Sequence, residues 1–429
     1  VQDGHGQKMS KSLANGVDPR DIIFSHGADA MRFTLVQMTT DTQDVRMPVE
    51  MVCPHSGVSF EPEFVRTQAG HLVAGPIQVS PQDDSKQMVS AYGAASGVAE
   101  PNEQIPLARN TSSKFDLGRN FANKLWNATR FALNRIDEEL VANIDLANRP
   151  FIDKWIFARL DETVRKLDES IEKYQFNIFA DTLYDFVWHD VCDRYLEAVK
   201  PTIDSDPEQQ MVLANLLNSV LRIMHPVCPF VTEALWPHVR QATSSTVGGV
   251  ELPDTEILAT ASWPKIEITQ SLSTSLISDF NSADQLVSLV RSTRAEQRVK
   301  PKQTIELYAP STVLNLLDRV NGYVQTLAGI GEVKPLMEAP SDGSTVITFE
   351  GTEIKISGLE SDIDLDAQKS RLEKLIADKE KQISGFKGRL SNEGYLSNAK
   401  PEVIEETRSL LALAEADLEA AERSLANLD

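Results

Sequence analysis

The chain has 429 residues, of which 41% are hydrophobic and 24% charged, with a formal net charge of −21. That composition is ordinary for globular protein and the length suits two to four domains; the acidic balance excludes nonspecific nucleic-acid binding by the surface as a whole. Three cysteines exclude a disulfide framework and suit a reducing cytoplasm, and no apolar run approaches the ~20 residues of a membrane span.

The chain opens on "VQDGHGQKMSKSLANGVDPRDI", which reads as a strand end entering a Gly-flanked loop. Residue 1 is therefore expected to lie within a domain of a larger protein. Lys8, Met9, Ser10, Lys11 and Ser12 crowd into five positions of that loop. Such a cluster is either solvated or built for a phosphate. In the second case two point-like ammonium groups follow charge developing on a nucleotide's phosphates, and Ser hydroxyls and backbone N–H groups add donors. Gly4 and Gly6 before the loop and Gly16 after it would permit closure.

A helix-like run ending in "HGADAMRFTLVQMTT" comes next. Residues 49–113 change character, with six Pro and five Gly among Ser, Gln and short apolar pieces. They read as an irregular or weakly β insertion, partly disordered. From Lys114 a helical period takes over. Asp153 is placed to cap a helix carrying Ile156, Leu160, Val164, Leu167 and Ile171. Further helices carry Phe179, Leu183, Val187 and Val191, then Leu213, Leu217, Val220, Leu221 and Met224, before Pro226 and Pro229 end the last. Residues 114–270 thus predict a helical bundle. Residues 271–359 mix a helix ending near Arg298, "TIELYA", a helix from Thr312 to Leu327, "STVITFE" and "TEIKIS", a small α/β unit.

Residues 360–429 carry the clearest period. Leu365, Leu372, Lys379 and Phe386 share one seven-residue register, and Ile376, Ile383 and Leu390 the other. After "SNEGYLSNAKPE" the period resumes at Ile404, Leu411, Leu418 and Leu425, interleaved with Thr407, Ala414, Ala421 and Leu428. This predicts an antiparallel coiled-coil hairpin. Residues 364–390 hold seven Lys or Arg against five acids, and residues 401–429 eight acids against two Arg. Those charges either pair within the hairpin or leave the basic helix facing a polyanion.

Within the first bundle helix, Phe121, Leu125, Ala128 and Ala132 form a buried stripe. Asn120, Lys124, Asn127, Phe131 and Asn134 line another face, flanked by Arg119, Asn123 and Arg130. Phe131 either packs on a neighbouring helix or offers its ring to a nucleic-acid base, with amides reading base edges and cations holding phosphates. "RSTRAEQRVKPK" (291–302) is a second basic stretch, solvated or in contact with nucleic acid. Cys53 and His55 are two ligands without two more, so no metal site is expected. Trp126, Trp155, Trp188 and Trp236 are expected in the core, and His189 and His225 as packed or capping residues.

"KMSKS" resembles the second signature of class I aminoacyl-tRNA synthetases. "NGVDPRDIIFSHGADAMRFTL" is similar to the segment just after that signature in the valine, isoleucine and leucine enzymes. "RNFANKLWNATRF", "DKWI", "YDFVWHDVCDRYLEAVKP" and "HPVCPFVTEALWP" resemble the anticodon-binding helical domain of that subgroup. "RLSNEGYLSNAKPEVIEE" is similar to the C-terminal coiled coil of the valyl branch, and three scattered cysteines do not build the zinc module in which an isoleucine enzyme more often ends. The chain departs from the pattern in "LAN" (13–15), in the 49–113 segment, and in having no His-x-Gly-His first signature.

The resemblance implies a mainly α fold in five parts. These are the tail of a class I nucleotide-binding catalytic domain (1–48), the insertion (49–113), an anticodon-binding bundle (114–270), a small α/β junction (271–359) and a tRNA-binding coiled coil (360–429). It implies a valine–tRNA ligase that uses ATP with Mg²⁺, forms valyl-adenylate, charges tRNA(Val) and edits mischarged threonine, as a cytoplasmic monomer without a membrane partner. Lys8 and Lys11 would stabilise the adenylation transition state, with Met9, Ser10 and Ser12 completing the ATP-binding loop. Lys124 and Phe131, with Asn127, would meet the anticodon, and Arg119 and Arg130 its backbone. The first signature and the editing domain would lie upstream, so this chain alone is expected not to activate valine. The alternatives are an isoleucyl or leucyl enzyme, or a freestanding tRNA-binding or scaffold module.

Overall fold

The structure, a computed structural model, describes residues 1–40, 44–136, 143–248, 250–266, 270–297, 299–300, 303–359, 365–392 and 401–426. The chain divides into two compact units, one of residues 1–149 and 153–273 and the other of residues 150–152 and 274–429.

The first unit begins with β1 (Gln2–Asp3), which pairs in parallel with β2 (Arg46–Met47). Helices α1 (Pro19–His26) and α2 (Ala28–Met38) lie between them in sequence. Asp18 caps α1 by accepting from the Arg20 amide, and Pro19 starts the helix, where its missing N–H costs nothing. Gly27, at φ +91°, makes the turn from α1 into α2, a backbone conformation that other residues rarely adopt. Ile22, Met47 and Phe115 form a small core here, with Met9, Val17, Met31 and Met38 packed on it.

Residues 49–113 form short strands joined by turns, as the weakly β expectation had it, and they are ordered where partial disorder was expected. β3 (Glu50–Val52) pairs with β4 (Ser59–Phe60) and β9 (Arg109–Thr111). β5 (Phe64–Arg66) pairs with β6 (Leu72–Ala74), and β7 (Ile77–Ser80) with β8 (Asp83–Val89), all antiparallel. A one-and-a-half-turn helix, α3 (Ala91–Ala95), comes after β8. Met51, Cys53, Met88 and Ala108 are fully enclosed, with Phe60 and Ala74 against them. Burial of these few side chains, each worth roughly 1.5–3 kcal/mol for the larger ones, gives the segment a core that its Pro and Gly content concealed.

The bundle comprises α4 (Lys114–Leu133), α5 (Phe151–Glu172), α6 (Phe176–Tyr184), α7 (Leu196–Val199), α8 (Pro207–Met224) and α9 (Pro229–Ala242). The expected stripe on α4, Phe121, Leu125, Ala128 and Ala132, is buried. Gly118 lets α4 lie against α2, since a Cβ there would stand 2.6 Å from the Ala30 carbonyl oxygen. Between α6 and α7, Asp185–Tyr195 winds as a π-helix, a form the apolar period did not announce. Phe179, Leu183, Val187 and Val191 nevertheless all face inward, because a strict four-residue spacing stays on one face of a wider helix. Asp153 is not a cap. It lies inside α5, fully buried, bound to Arg149 (3.0 Å), the Tyr195 hydroxyl (2.9 Å) and Gln209 (3.2 Å). Trp155 and Trp236 are core and Trp188 is half-buried, but Trp126 is 45% exposed, against expectation.

The second unit places α10 (Gln270–Glu296) with a four-stranded sheet in the order β11, β10, β13, β12. Its strands are β10 (Ile305–Ala309), β11 (Ile330–Pro335), β12 (Thr345–Phe349) and β13 (Thr352–Ser357), with only the β10–β11 pair parallel. The single helix expected from Thr312 to Leu327 is two, α11 (Ser311–Arg319) and α12 (Tyr323–Ala328), broken where Asn321 and Gly322 take φ of +48° and +81°. β11 was not anticipated. Helices α13 (Leu365–Leu390) and α14 (Pro401–Ala426) pack along each other. Each spans about 39 Å at 1.5 Å per residue. Leu372, Ile383, Thr407, Ala414 and Ala421 are buried in the expected registers. The expected turn falls over 393–400, and Leu428 in 427–429, both outside the described residues. Among the described residues no helix is long and apolar enough to cross a membrane.

Candidate functional site

The lysine loop is organised by one buried pair. The Asp3 carboxylate accepts from the amides of His5 (3.0 Å) and Gln7 (2.9 Å), from Gln7 Nε2 (3.0 Å) and from Asn15 Nδ2 (2.8 Å). Burial works against its charge, but the hydrogen bonds from Asn15, Gln7 and His5 outweigh that and hold the carboxyl below its usual range. Asn15 returns its Oδ1 to the Ser10 amide (2.9 Å), closing the loop across its neck. Ser10 Oγ accepts from the Leu13 amide (3.2 Å) and lies 3.2 Å from Ser12 Oγ. Met9 points inward onto the small core, whereas Lys8 and Lys11 are exposed and make no ion pair among the described residues. The loop therefore presents two free ammonium groups and two hydroxyls on a fixed neck, an arrangement suited to an anionic ligand.

The second predicted face lies on α4. Asn120, Asn123, Asn127, Arg130 and Asn134 are exposed along it, beside Trp126. Arg130 makes no ion pair among the described residues, while Arg119 pairs with Asp116 at 2.6 Å. Lys124 is engaged within the protein. Its Nζ is 2.5 Å from Asp193 and 4.0 Å from the centroid of the Trp188 ring, which stacks on Tyr184 at 17°. Phe131 is half-buried, with the Arg135 guanidinium 3.8 Å from its ring centroid and Lys200 at 5.8 Å. The structure thus brings Asn127, Arg130 and Phe131 to one exposed side, and ties Lys124 and Arg119 to acids. His189 is exposed on one side, with Nδ1 3.3 Å from Asp193, and sets its ring edge-on to Tyr184 at 6.0 Å. His225 does cap: it closes the C-terminus of α8, its amide donating to the Leu221 carbonyl, and its Nδ1 lies 2.9 Å from Thr232 Oγ1. Cys53 and His55 diverge, to Ser80 Oγ (3.3 Å) and the Gln87 carbonyl (2.9 Å). The basic stretch at 291–302 is in part internal, with Arg294 donating to the carbonyls of Gln303 and Gly329.

Three families match successive parts of the chain. Residues 1–48 match the tRNA synthetases class I (I, L, M and V), residues 153–309 the anticodon-binding domain of tRNA ligase, and residues 364–429 the valyl tRNA synthetase tRNA binding arm. The chain is also 34% identical to a valine–tRNA ligase of Rhodopirellula baltica over 439 residues, covering 100% of this chain and 41% of that protein. A valine–tRNA ligase of Thermotoga maritima is 30% identical, over 96% of this chain and 38% of its own length. That of Rhizobium meliloti is 32% identical, over 98% and 37%. Part by part, the chain is similar to class I tRNA synthetases and to valine–tRNA ligases. It spans about two fifths of the length of these relatives.

Against that family, two motif residues gain a role that sequence alone did not give them. Asp29 of the "GADA" motif accepts from the amides of Phe230 (3.0 Å) and Val231 (2.7 Å), capping the N-terminus of α9. Arg32 donates to the Pro226 carbonyl (2.9 Å) just beyond α8. The motif therefore seats the bundle on the segment that carries the loop. Asn110, at the far end of the 49–113 segment, donates to the carbonyls of Ala14 and Gly16 and was also missed. A helix motif containing a lone Asp before an apolar run could have signalled the first; no signal in the sequence pointed to the last.

Proposed function

We propose that this chain supplies the ATP-handling lysine loop and the tRNA-holding surfaces of a valine–tRNA ligase. The observation that carries the reading is the pair of exposed ammonium groups of Lys8 and Lys11, without an ion pair among the described residues, on a neck fixed by Asp3 and Asn15. Attack of valine's carboxylate on the α-phosphate of ATP expels pyrophosphate. Lys8 and Lys11 would follow the charge that develops there, and the hydroxyls of Ser10 and Ser12 would add donors. The residues present fit the phosphates of ATP. Mg²⁺ would enter with the phosphates of ATP, where it neutralises charge. Asn127, Arg130 and Phe131 would meet the anticodon of tRNA(Val), and the hairpin the tRNA body. The reading includes a monomer working in the cytoplasm.

The test is valine-dependent ATP–pyrophosphate exchange by a polypeptide joining this chain to a catalytic half that bears the His-x-Gly-His signature. Lys8→Ala with Lys11→Ala should lower the rate about a hundredfold or more, as loss of preorganised charge stabilisation does. An unchanged rate, or a preference for isoleucine or leucine over valine, overturns it.

A further inference from the structure

The lysine loop exchanges side chains with residues 49–113 at both of its ends. At the entrance, Gln7 Nε2 donates to the Leu72 carbonyl (2.7 Å) and Gln7 Oε1 accepts from the Leu72 amide (2.8 Å), fastening the loop to β6. His5 sets its ring edge-on to Phe64 of β5, with centroids 4.5 Å apart. At the exit, Asn110 of β9 donates to the carbonyls of Ala14 (2.9 Å) and Gly16 (2.7 Å). Ala14 has φ +45°, a left-handed conformation unfavourable for a residue with a Cβ, so the exit clamp falls on the strained position of the loop. Behind the loop, a cavity of about 470 Å³ lies between Asp3 and Asn15 on one wall and Met51, Phe60, Phe64 and Val73 on the other. Continuous packing therefore does not fix the loop against the strands here; the hydrogen bonds at its two ends do.

We propose that residues 49–113 are a brace that sets the posture of the lysine loop, with Gln7 and Asn110 as positioning residues. The functional value of the brace rests on the reading of the loop as a phosphate site; the bracing itself does not. Two fixed ends restrict Lys8 and Lys11 to a narrow arc, so less freedom is lost when phosphates are bound.

The test is amide hydrogen exchange on the 429-residue chain and on its Gln7→Ala and Asn110→Ala variants. Each variant should speed exchange of the amides of residues 8–14 about tenfold, the effect of removing one or two neutral hydrogen bonds. Exchange in β3, β5 and α4 should not change, and in β6 only the Leu72 amide, which loses its Gln7 acceptor in Gln7→Ala, should speed up. Unaltered exchange in residues 8–14, or equal acceleration through all of residues 1–113, overturns the proposal. If Asn110→Ala misfolds, Gln7→Ala decides alone. Binding of inorganic pyrophosphate is then compared across the same variants. Weaker binding in Asn110→Ala, abolished in Lys8→Ala with Lys11→Ala, supports brace and phosphate site together. Faster loop exchange with pyrophosphate binding indifferent to the lysines leaves the brace standing and removes the phosphate reading.

Discussion

At the scale of single residues, the most consequential is Asp153. Burial pushes its carboxyl above the usual carboxylate range, although Arg149, Tyr195 and Gln209 all favour the charged form. Arg149, itself buried, also reaches Asp206 and Glu208 at 2.6 Å each. Asp153→Ala leaves the guanidinium short of one partner in a dry site and orphans the Tyr195 hydroxyl. Loss of one member of such a buried pair costs about 3–5 kcal/mol, and the urea midpoint should fall accordingly, with Asp153→Asn losing less because it can still accept from Tyr195. A pH dependence arises at His225. Burial lowers its pKa from 6.5, outweighing the nearby Glu233 and Asp29 charges that raise it. The folded state thus prefers the neutral ring, and this stability is present above pH 6.5 and lost as pH falls below it, because the unfolded chain binds more protons there. His26 shifts the same way, by burial and the Arg119 charge. The urea midpoint should be lower at pH 5.5 than at pH 7.5, and His225→Asn should make that slope shallower.

At the scale of elements, the α2–α4 crossing turns on Gly118. Its Cβ would meet backbone of Ala30, which cannot rotate away. Gly118→Ala should destabilise by roughly 1–3 kcal/mol, the usual cost of overpacking, despite alanine's better helix propensity, and a lowered melting temperature checks it. How legible each element was depended on how its signal was carried. The buried stripe of α4 and the registers of α13 and α14 could be read directly, because three- and four-residue spacings repeat over many turns. The π-helical turn at Asp185–Tyr195 could not, since an i to i+5 ladder leaves no mark on a four-residue apolar spacing. Strands β3 to β9 are two to seven residues long, too short for alternation to stand out among prolines. Asp153 was misread because an aspartate near the start of an apolar helix has the same local signature whether it caps or is buried. At the site, Lys8 and Lys11 were legible from their crowding, but Asn110 and Gln7 were not, because their partners lie 96 and 65 residues away.

At the scale of the whole molecule, a net charge of −21 must be reconciled with the polyanionic partner proposed for the chain. The hairpin divides its basic residues. Lys379 pairs with Asp417 at 2.6 Å and Lys387 with Glu415 at 2.8 Å, whereas Lys374, Lys381 and Arg389 are exposed and make no ion pair among the described residues. Their seven- and eight-residue spacing keeps them along one side of α13. Reversing all three to Glu should weaken tRNA binding by at least about tenfold and flatten its dependence on salt, because fewer counterions are released. Titrations between about 50 and 200 mM salt would read both. Equal affinity and slope would place the contact elsewhere.

Asp417 does more than neutralise Lys379. Its other oxygen accepts from the Gly351 amide at 2.8 Å, in the turn between β12 and β13, where Ala416 lies against Gly351. One carboxylate thus pins α14 to α13 and to the sheet edge at the same point. Sliding α14 by a heptad would break both bonds together, although the leucine and alanine seam would tolerate the shift. The arm carries its own zero mark, and whatever its far end reaches is measured off from that single residue like graduations on a ruler.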